Sequence, residues 1–313
     1  MKLKSVLDAV WAGFTSAAMS LLNPLGVGRL KQIMDEDEAR RIMDSGLGRA
    51  ELEFVTSICA PLYWVMPIVD DFRPVRNGTA FFLNAGDGVF AVTADHVLTG
   101  LEQDRALYEI KSVQLGVGLS IDFAGRHAVI DHDADMDIAT FRIAEWEVAA
   151  IGKTILTGYQ DSWPPKPPQQ DRGVYFSGFA GVNTRWLTEI EISFGAVPGS
   201  GLATSVGPRD VSTQFERQNW IDVLNLGLPP EDYDFGGISG GPMLSVIEQQ
   251  GLRTWSLAGV IYQGPNSSAD DEKSIKGFEV IKARHASFIR PDGTLDRQLW
   301  SGGGIYLGGH EKR

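Results

Sequence analysis

The sequence predicts an all-β protein, a sandwich or barrel, preceded by a helical segment. Three observations carry this reading. From about Leu62 the chain breaks into short runs of β-branched and aromatic residues, each bounded by Gly, Pro, Asn or Asp. Its 36 glycines and 15 prolines follow no repeat period, so they mark tight turns and exclude a collagen-like fibre. The 313 residues, 43% apolar and 22% charged, have globular composition and enough length to bury a core without staples.

The first segment, MKLKSVLDAVWAGFTSAAMSLL, places Val6, Leu7, Val10, Trp11, Phe14, Ala18 and Leu21 on one helical face and predicts an amphipathic helix. Its apolar stretch is broken by Asp8 and is shorter than the roughly 20 residues a transmembrane helix needs. Two other readings stay open: a signal peptide cleaved near Ala18-Met19-Ser20, and a peripheral membrane anchor. The helix reading puts the protein in the cytoplasm; the signal-peptide reading exports it. Leu30, Ile33, Met34, Ile42 and Met43 continue the helical spacing until Gly46 and Gly48 stop it. Residues 1–50 therefore form a helical extension, a candidate docking segment for a regulatory partner.

Between residues 51 and 162 the runs LYWVMPIV, TAFFL, VFAVTA, SVQLGVGL, HAVI and IATFRI read as strands. The four prolines of WPPKPPQQ, residues 163–170, cannot join a ladder and make a linker. Between 171 and 290, VYFSGF, LTEIEISF, PMLSVI, WSLAGVIY and GFEVI read as a second set of strands. The stretch from Pro198 to Glu231 reads as a long loop, and residues 291–313, ending in SGGGIYLGGH, as an irregular tail.

Composition excludes several classes. With 28 Lys and Arg against 40 Asp and Glu, the net charge is −12, and no basic stripe exists to displace counterions from nucleic acid. Cys59 is the only cysteine, so no intrachain disulfide and no cysteine-based zinc site can form. A disulfide-free chain suits a reducing compartment. The histidines show no i, i+4 pair, so no metal site is expected. GGGIYLGG, from Gly302 to Gly309, lacks the Lys-Ser/Thr of a phosphate loop, and no cofactor is expected.

The chemistry concentrates in three strings. In Gly236-Gly237-Ile238-Ser239-Gly240-Gly241-Pro242 a serine sits among glycines that allow a sharp turn. Such a turn can aim the N–H groups of Gly237 and Ser239 at one spot, as an oxyanion hole requires; a solvated serine in a plain glycine turn is the alternative. In Ala91-Val92-Thr93-Ala94-Asp95-His96-Val97-Leu98 a histidine ends an apolar strand, where a lone histidine is more often structural than catalytic. In Asp131-His132-Asp133-Ala134-Asp135-Met136-Asp137 the alternating acids suggest a calcium loop. Met136 at its sixth place and Arg142 at its twelfth break that pattern. Asp137 leads into the apolar run IATFRI and is the acid expected to face a core, with the others a solvated rim.

Together, in the order His96, Asp137, Ser239, these strings resemble the trypsin/chymotrypsin-like serine peptidases, in particular the disulfide-poor bacterial branch. NGTAFFLNAGDGVFAVTADHV resembles that family's strand–turn bearing the histidine, MDIATFRI its aspartate segment, and GISGGP its nucleophile turn. VYFSGFAG, LAGVIYQG and KGFEVIKARHASFI resemble later strands and a closing helix, so the likeness spans Leu62 to Ile289. The resemblance implies two six-stranded Greek-key β-barrels with the active site between them. His96 and Asp137 would come from the first barrel and Ser239 from the second. It further implies a serine endopeptidase acting on a protein or peptide substrate. Ser239 would be the nucleophile, His96 the general base and Asp137 its orienting partner; Gly237 and Ser239 would form the oxyanion hole.

Two departures bear on mechanism. Ile238 precedes the nucleophile where family members activated by cleavage carry Asp, so no activation by a new N-terminus is expected. Asp95 stands beside His96 where the family has a small residue, either modulating the imidazole or facing solvent. By the resemblance the substrate pocket has its base near Tyr233 and Asp234 and its walls near Tyr262, Gly264 and Gly277, with the Pro198–Glu231 loop over it. Asp234 and Glu279 would favour Lys or Arg substrates if they face the pocket, and would have no such effect as loop residues in water. A catalytically silent binding module and a serine esterase are the competing functions.

Overall fold

The computed structural model describes residues 45–68, 73–158, 163–215, 220–222, 228, 230, 233–249, 252–265 and 280–307; before residue 45 it describes Phe14, Thr15, Asp37, Arg40 and Arg41. The β-branched and aromatic runs do form strands, and the protein is mostly β. At Phe14, where a helix is expected, Phe14–Thr15 (β1) instead pair in parallel with Gly199 and Ser200. That edge offers unpaired backbone groups, and strand pairing overrides the helical pattern there. Further along the expected extension Asp37, Arg40 and Arg41 are helical, as the spacing predicts; the rest of residues 1–44 lies outside the described residues.

Helix α1 (Leu47–Ser57) follows, so Gly46, expected to end a helix, precedes one instead. Gly46 has φ 84°, a left-handed conformation that costs glycine little. The boundary drawn at residue 50 thus falls inside this helix. Val55 and Ile58 are fully buried and seat it between the two sheets.

The first sheet contains β2 (Cys59–Val65), β3 (Val75–Asn84), β4 (Val89–Thr93), β5 (Val113–Leu115), β6 (Leu119–Ile121), β7 (Val129–Asp133), β8 (Ile138–Arg142) and β9 (Leu156–Thr157). Its order is β6-β5-β2-β3-β4-β8-β7, with β9 on β3. SVQLGVGL, expected as one strand, is the β5–β6 hairpin, because Gly116 and Gly118 both take positive φ between its halves. Among the described residues the outer strands β6 and β7 do not pair, so this half is an open curved sheet and not the closed six-stranded barrel expected. Helices complete its core: α2 (Asp95–Leu107) inserts Val97, Leu98 and Leu101, and α3 (Glu145–Ala150) inserts Val148. Phe82 and Phe141 are fully buried in the same core; burying one such ring contributes about 1.5–3 kcal/mol.

The second sheet contains β10 (Gly173–Phe176), β13 (Gly199–Val206), β14 (Asp210–Gln214), β15 (Pro242–Gln249), β16 (Leu252–Gln263) and β17 (Val280–His285). Its order β13-β10-β15-β16-β17-β14 closes through a β13–β14 pairing, giving a six-stranded barrel. β13 and β14 lie within the stretch expected to be a loop over the pocket. Small residues conceal the strand pattern: a Cβ at Gly199 would lie 2.4 Å from Phe176 Cζ, so glycine there makes room for a buried ring. LTEIEISF, also expected as one strand, belongs to the hairpin of β11 (Thr184–Trp186) and β12 (Ile192–Phe194), which pairs with neither sheet.

The two halves share one core, in which Phe81 and Leu83 from the first meet Leu244, Val260 and Phe288 from the second. Between them the segment from Trp163 runs without strands to residue 172, and the Trp163 indole N–H donates to the Ile289 carbonyl at 2.7 Å. The closing helix is a single 3₁₀ turn, Ala286–Phe288, and the tail is not irregular throughout, since α4 (Arg297–Ser301) forms within it. Asp296 caps α4 by accepting the Leu299 N–H at 2.9 Å.

Candidate active site

β4 carries the chain to Thr93, and α2 begins two residues later, so His96 occupies the first turn of a helix at the end of a core strand. Two anchors hold that helix. Asp95, nearly fully buried, is an acid in the first turn and suits the positive end of the helix dipole. At the far end the buried Asp104 accepts the Trp64 indole N–H at 2.7 Å, tying α2 to β2.

The β7–β8 turn presents Asp137. Asp133 Oδ1 accepts the N–H groups of Asp135 and Met136 at 3.0 and 3.1 Å and shapes the turn. Asp137 itself has φ 55°, in the left-handed region that aspartate tolerates better than most residues. Its Oδ2 lies 2.8 Å from His96 Nδ1, and its Oδ1 accepts the His96 backbone N–H at 3.0 Å. With Nδ1–H donating to the carboxylate, the neutral ring presents a bare Nε2 on its other side. The acids expected as a solvated rim are mostly engaged. Arg297 Nη2 and Nη1 each lie 2.8 Å from an oxygen of Asp131, and its Nε lies 3.0 Å from Asp133 Oδ2. This bidentate contact holds the Asp131 carboxyl below its ordinary range.

Ser239 sits at the start of the approach to β15. Gly237 and Gly240 have φ 101° and 87°, so the turn uses the conformations only glycine adopts freely. A Cβ at Gly240 would lie 2.0 Å from the Thr79 carbonyl and 2.4 Å from Thr93 Oγ1. The Ser239 turn therefore packs backbone-close against the strand end that leads to His96. The turn's N–H groups divide in an alternating pattern. Gly236 donates to Asp234 Oδ1 at 2.7 Å, Ile238 to the Phe235 carbonyl at 3.2 Å, and Gly240 to the Ile261 carbonyl at 2.7 Å. Among the described residues the N–H groups of Gly237 and Ser239 have no partner, and neither do His96 Nε2 and Ser239 Oγ. The structure thus joins His96 to Asp137 directly and brings the Ser239 turn against Thr93 and Ala94, without a bond between the serine and histidine side chains. In unliganded sites such bonds are often long.

The expected pocket residues fall as follows. Tyr233 is buried against Phe235, their ring centroids 4.7 Å apart, and burial pushes its phenol far above the ordinary range. Asp234 is exposed, its carboxylate occupied with the Gly236 N–H. Gly264 is buried against Ile238, where a Cβ would lie 3.1 Å from Cδ1. Tyr262 is half-buried and donates to Asp210 at 3.3 Å; burial pushes its phenol up to about 12. Gly277 and Glu279 lie outside the described residues. His127, His132 and His285 serve the fold: His127 pairs with buried Glu147 at 3.1 Å, His132 with Asp95 at 2.8 Å, and His285 lies 2.8 Å from the Gly207 carbonyl.

Two residues at the site escaped the sequence reading. Arg284 on β17 crosses between the halves: its Nε donates to the Met136 carbonyl at 3.0 Å, and its guanidinium lies 4.0 Å over the Tyr262 ring. Thr79 on β3 touches the Ser239 turn. Both lie in strings that carry the resemblance, NGTAFF and KGFEVIKARHASFI, but nothing in either string marks them as touching the site. No protein-family model matches the chain, and no curated protein is significantly similar to it.

Proposed function

We propose that the chain is a serine endopeptidase of the trypsin/chymotrypsin-like kind, its open sheet and closed barrel corresponding to that family's two Greek-key barrels. Ser239 Oγ attacks the scissile carbonyl, and His96 Nε2 takes its proton and returns it to the leaving amine. Asp137 holds the imidazole tautomer and stabilises the imidazolium. The N–H groups of Gly237 and Ser239 receive the charge that develops on the carbonyl oxygen. An acyl-enzyme forms on Ser239, and water then hydrolyses it.

The observation that carries this reading is the combination of a 2.8 Å His96–Asp137 pair with a serine turn whose N–H groups at 236, 238 and 240 are engaged while those at 237 and 239 have no partner among the described residues. A solvated serine in an ordinary turn has no need of that alternation. Ile238 is buried among Phe235 and Tyr233, so nothing at that position could pair with a newly cut N-terminus. We therefore assign activity to the uncleaved chain. Its single cysteine is buried and free, as suits a reducing compartment, and we place the enzyme in the cytoplasm.

Labelling the full-length chain with a fluorophosphonate tests the assignment. An adduct located by mass spectrometry on Ser239, absent in Ser239→Ala and strongly slowed in His96→Ala, is expected. No adduct on the wild type overturns it in favour of a silent binding module. An adduct accompanied by cleavage of acyl esters but of no peptide in a broad library would make the protein an esterase.

A further inference from the structure

We infer that Thr79 is a positioning residue for the oxyanion-stabilising donors, an inference that rests on the proposed peptidase reading. Thr79 lies on β3, in the opposite half of the molecule from Ser239, and is fully buried. Every polar group it owns is engaged at the site. Its N–H donates to the Ser239 carbonyl at 2.8 Å, and its hydroxyl donates to the Gly237 carbonyl at 2.8 Å. The same hydroxyl accepts the Phe179 N–H at 2.9 Å, and the Thr79 carbonyl accepts the Thr93 hydroxyl at 2.7 Å.

Peptide planarity turns these bonds into a statement about the donors. In a trans peptide the carbonyl of one residue and the N–H of the next point in opposite directions, so gripping the carbonyl aims the N–H. Four consecutive peptides run from Gly236 to Gly240, and each carbonyl is held: Gly236 by the Gly181 N–H at 2.7 Å, Gly237 by the Thr79 hydroxyl, Ile238 by the Gly241 N–H at 2.9 Å, and Ser239 by the Thr79 N–H. Thr79 supplies two of these four grips. The Gly181 and Gly241 N–H groups hold the two peptides that bear the donors, and Thr79 holds the two peptides that alternate with them, fixing the Ile238–Ser239 unit on both sides and with it the positive φ of Gly237. The Thr93 bond extends the grip to the strand end three residues before His96. One residue, through its hydroxyl and its backbone, thus references the donor-bearing turn and the strand end before the base to a common point on β3.

A threonine hydroxyl suits the position because it donates to one carbonyl while accepting from one N–H. Valine matches its shape but does neither, and serine does both. The phosphoryl oxygen of a bound fluorophosphonate takes the place of the oxyanion, so the rate of labelling reports on the donors. The test is the pH profile of that rate for wild type, Thr79→Val and Thr79→Ser, with near-ultraviolet circular dichroism to show that each is folded. Misaimed donors should lower the plateau rate of Thr79→Val by about 10- to 100-fold, somewhat less than deleting a donor outright. The pH midpoint set by His96 should stay in place, and Thr79→Ser should keep most of the rate. If Thr79→Val does not fold, Thr79→Ala takes the same readout, with space for water in the vacated volume. A wild-type rate in the hydroxyl-less variant, an equal loss in Thr79→Ser, or a moved midpoint with an unchanged plateau overturns the inference and leaves the peptidase assignment standing. An unlabelled wild type overturns both.

Discussion

His132 Nδ1 lies 2.8 Å from Asp95 Oδ1, so two histidine–carboxylate pairs join the start of α2 to the β7–β8 hairpin in opposite senses. In one the helix contributes His96 and the hairpin Asp137; in the other the helix contributes Asp95 and the hairpin His132. Asp95 is therefore turned away from the neighbouring His96, and it also accepts from the Thr99 hydroxyl at 3.2 Å. His132→Ala should leave a buried carboxylate short of a partner, a loss of about 1–3 kcal/mol. Urea unfolding would show it as a lower midpoint, while labelling of Ser239 should fall less than about tenfold because the His96–Asp137 pair keeps its own contacts. An unchanged midpoint would mean that the second pair contributes nothing.

Asp137→Asn tests the first pair. Asparagine fits the turn, but its amide can donate to Nδ1 and so favours the wrong imidazole tautomer. The labelling rate should fall by about 10³- to 10⁴-fold with the thermal midpoint little changed. A loss below tenfold would leave His96 acting without Asp137.

Arg284 is the third target. Its contact with Asp210 is partly exposed and adds little stability, whereas its bond to the Met136 carbonyl holds the residue before Asp137. Arg284→Met should loosen that turn and slow labelling by up to about 10²-fold, the scale of a 1 Å misplacement. Arg284→Lys should recover little of it, because an ammonium does not reproduce the flat guanidinium over Tyr262. Equal labelling rates in wild type and Arg284→Met would remove Arg284 from the site.

The triad candidates were legible because each sits in a local string whose residue types carry meaning by themselves. Gly237 and Gly240 could be read as turn formers from their place around Ser239, and both take positive φ. Helix α2 was legible in principle: Val97, Leu98, Leu101 and Asp104 recur at helical spacing, and all are buried. The apolar run of β4 ends only two residues before the helix begins, so strand and helix patterns run together at His96 and hide the boundary. β13 was hidden for another reason, since Gly199, Ser200 and Gly201 show no apolar alternation and serve by leaving room for Phe176. Thr79 and Arg284 act on carbonyls 158 and 148 residues away, a relation that no window of sequence contains.

His285 provides a pH prediction independent of catalysis. It is 1% exposed, and its Nε2–H donates to the Gly207 carbonyl at 2.8 Å. Burial, the largest influence, lowers its pKa below the ordinary 6.5, and the nearby Asp210 only partly opposes this. The unfolded chain thus takes up this proton near pH 6.5 while the folded chain still resists it. Stability from the neutral ring is complete above that pH and drains away as pH falls beneath it. Asp131, Asp292 and Asp296, all held below 3.8, lose their contributions only at lower pH, so the two windows separate. Urea midpoints measured from pH 7 to pH 5 should fall for the wild type and fall less steeply for His285→Gln, whose amide can still donate to Gly207. Parallel slopes for the two proteins would show that His285 takes up its proton as readily folded as unfolded.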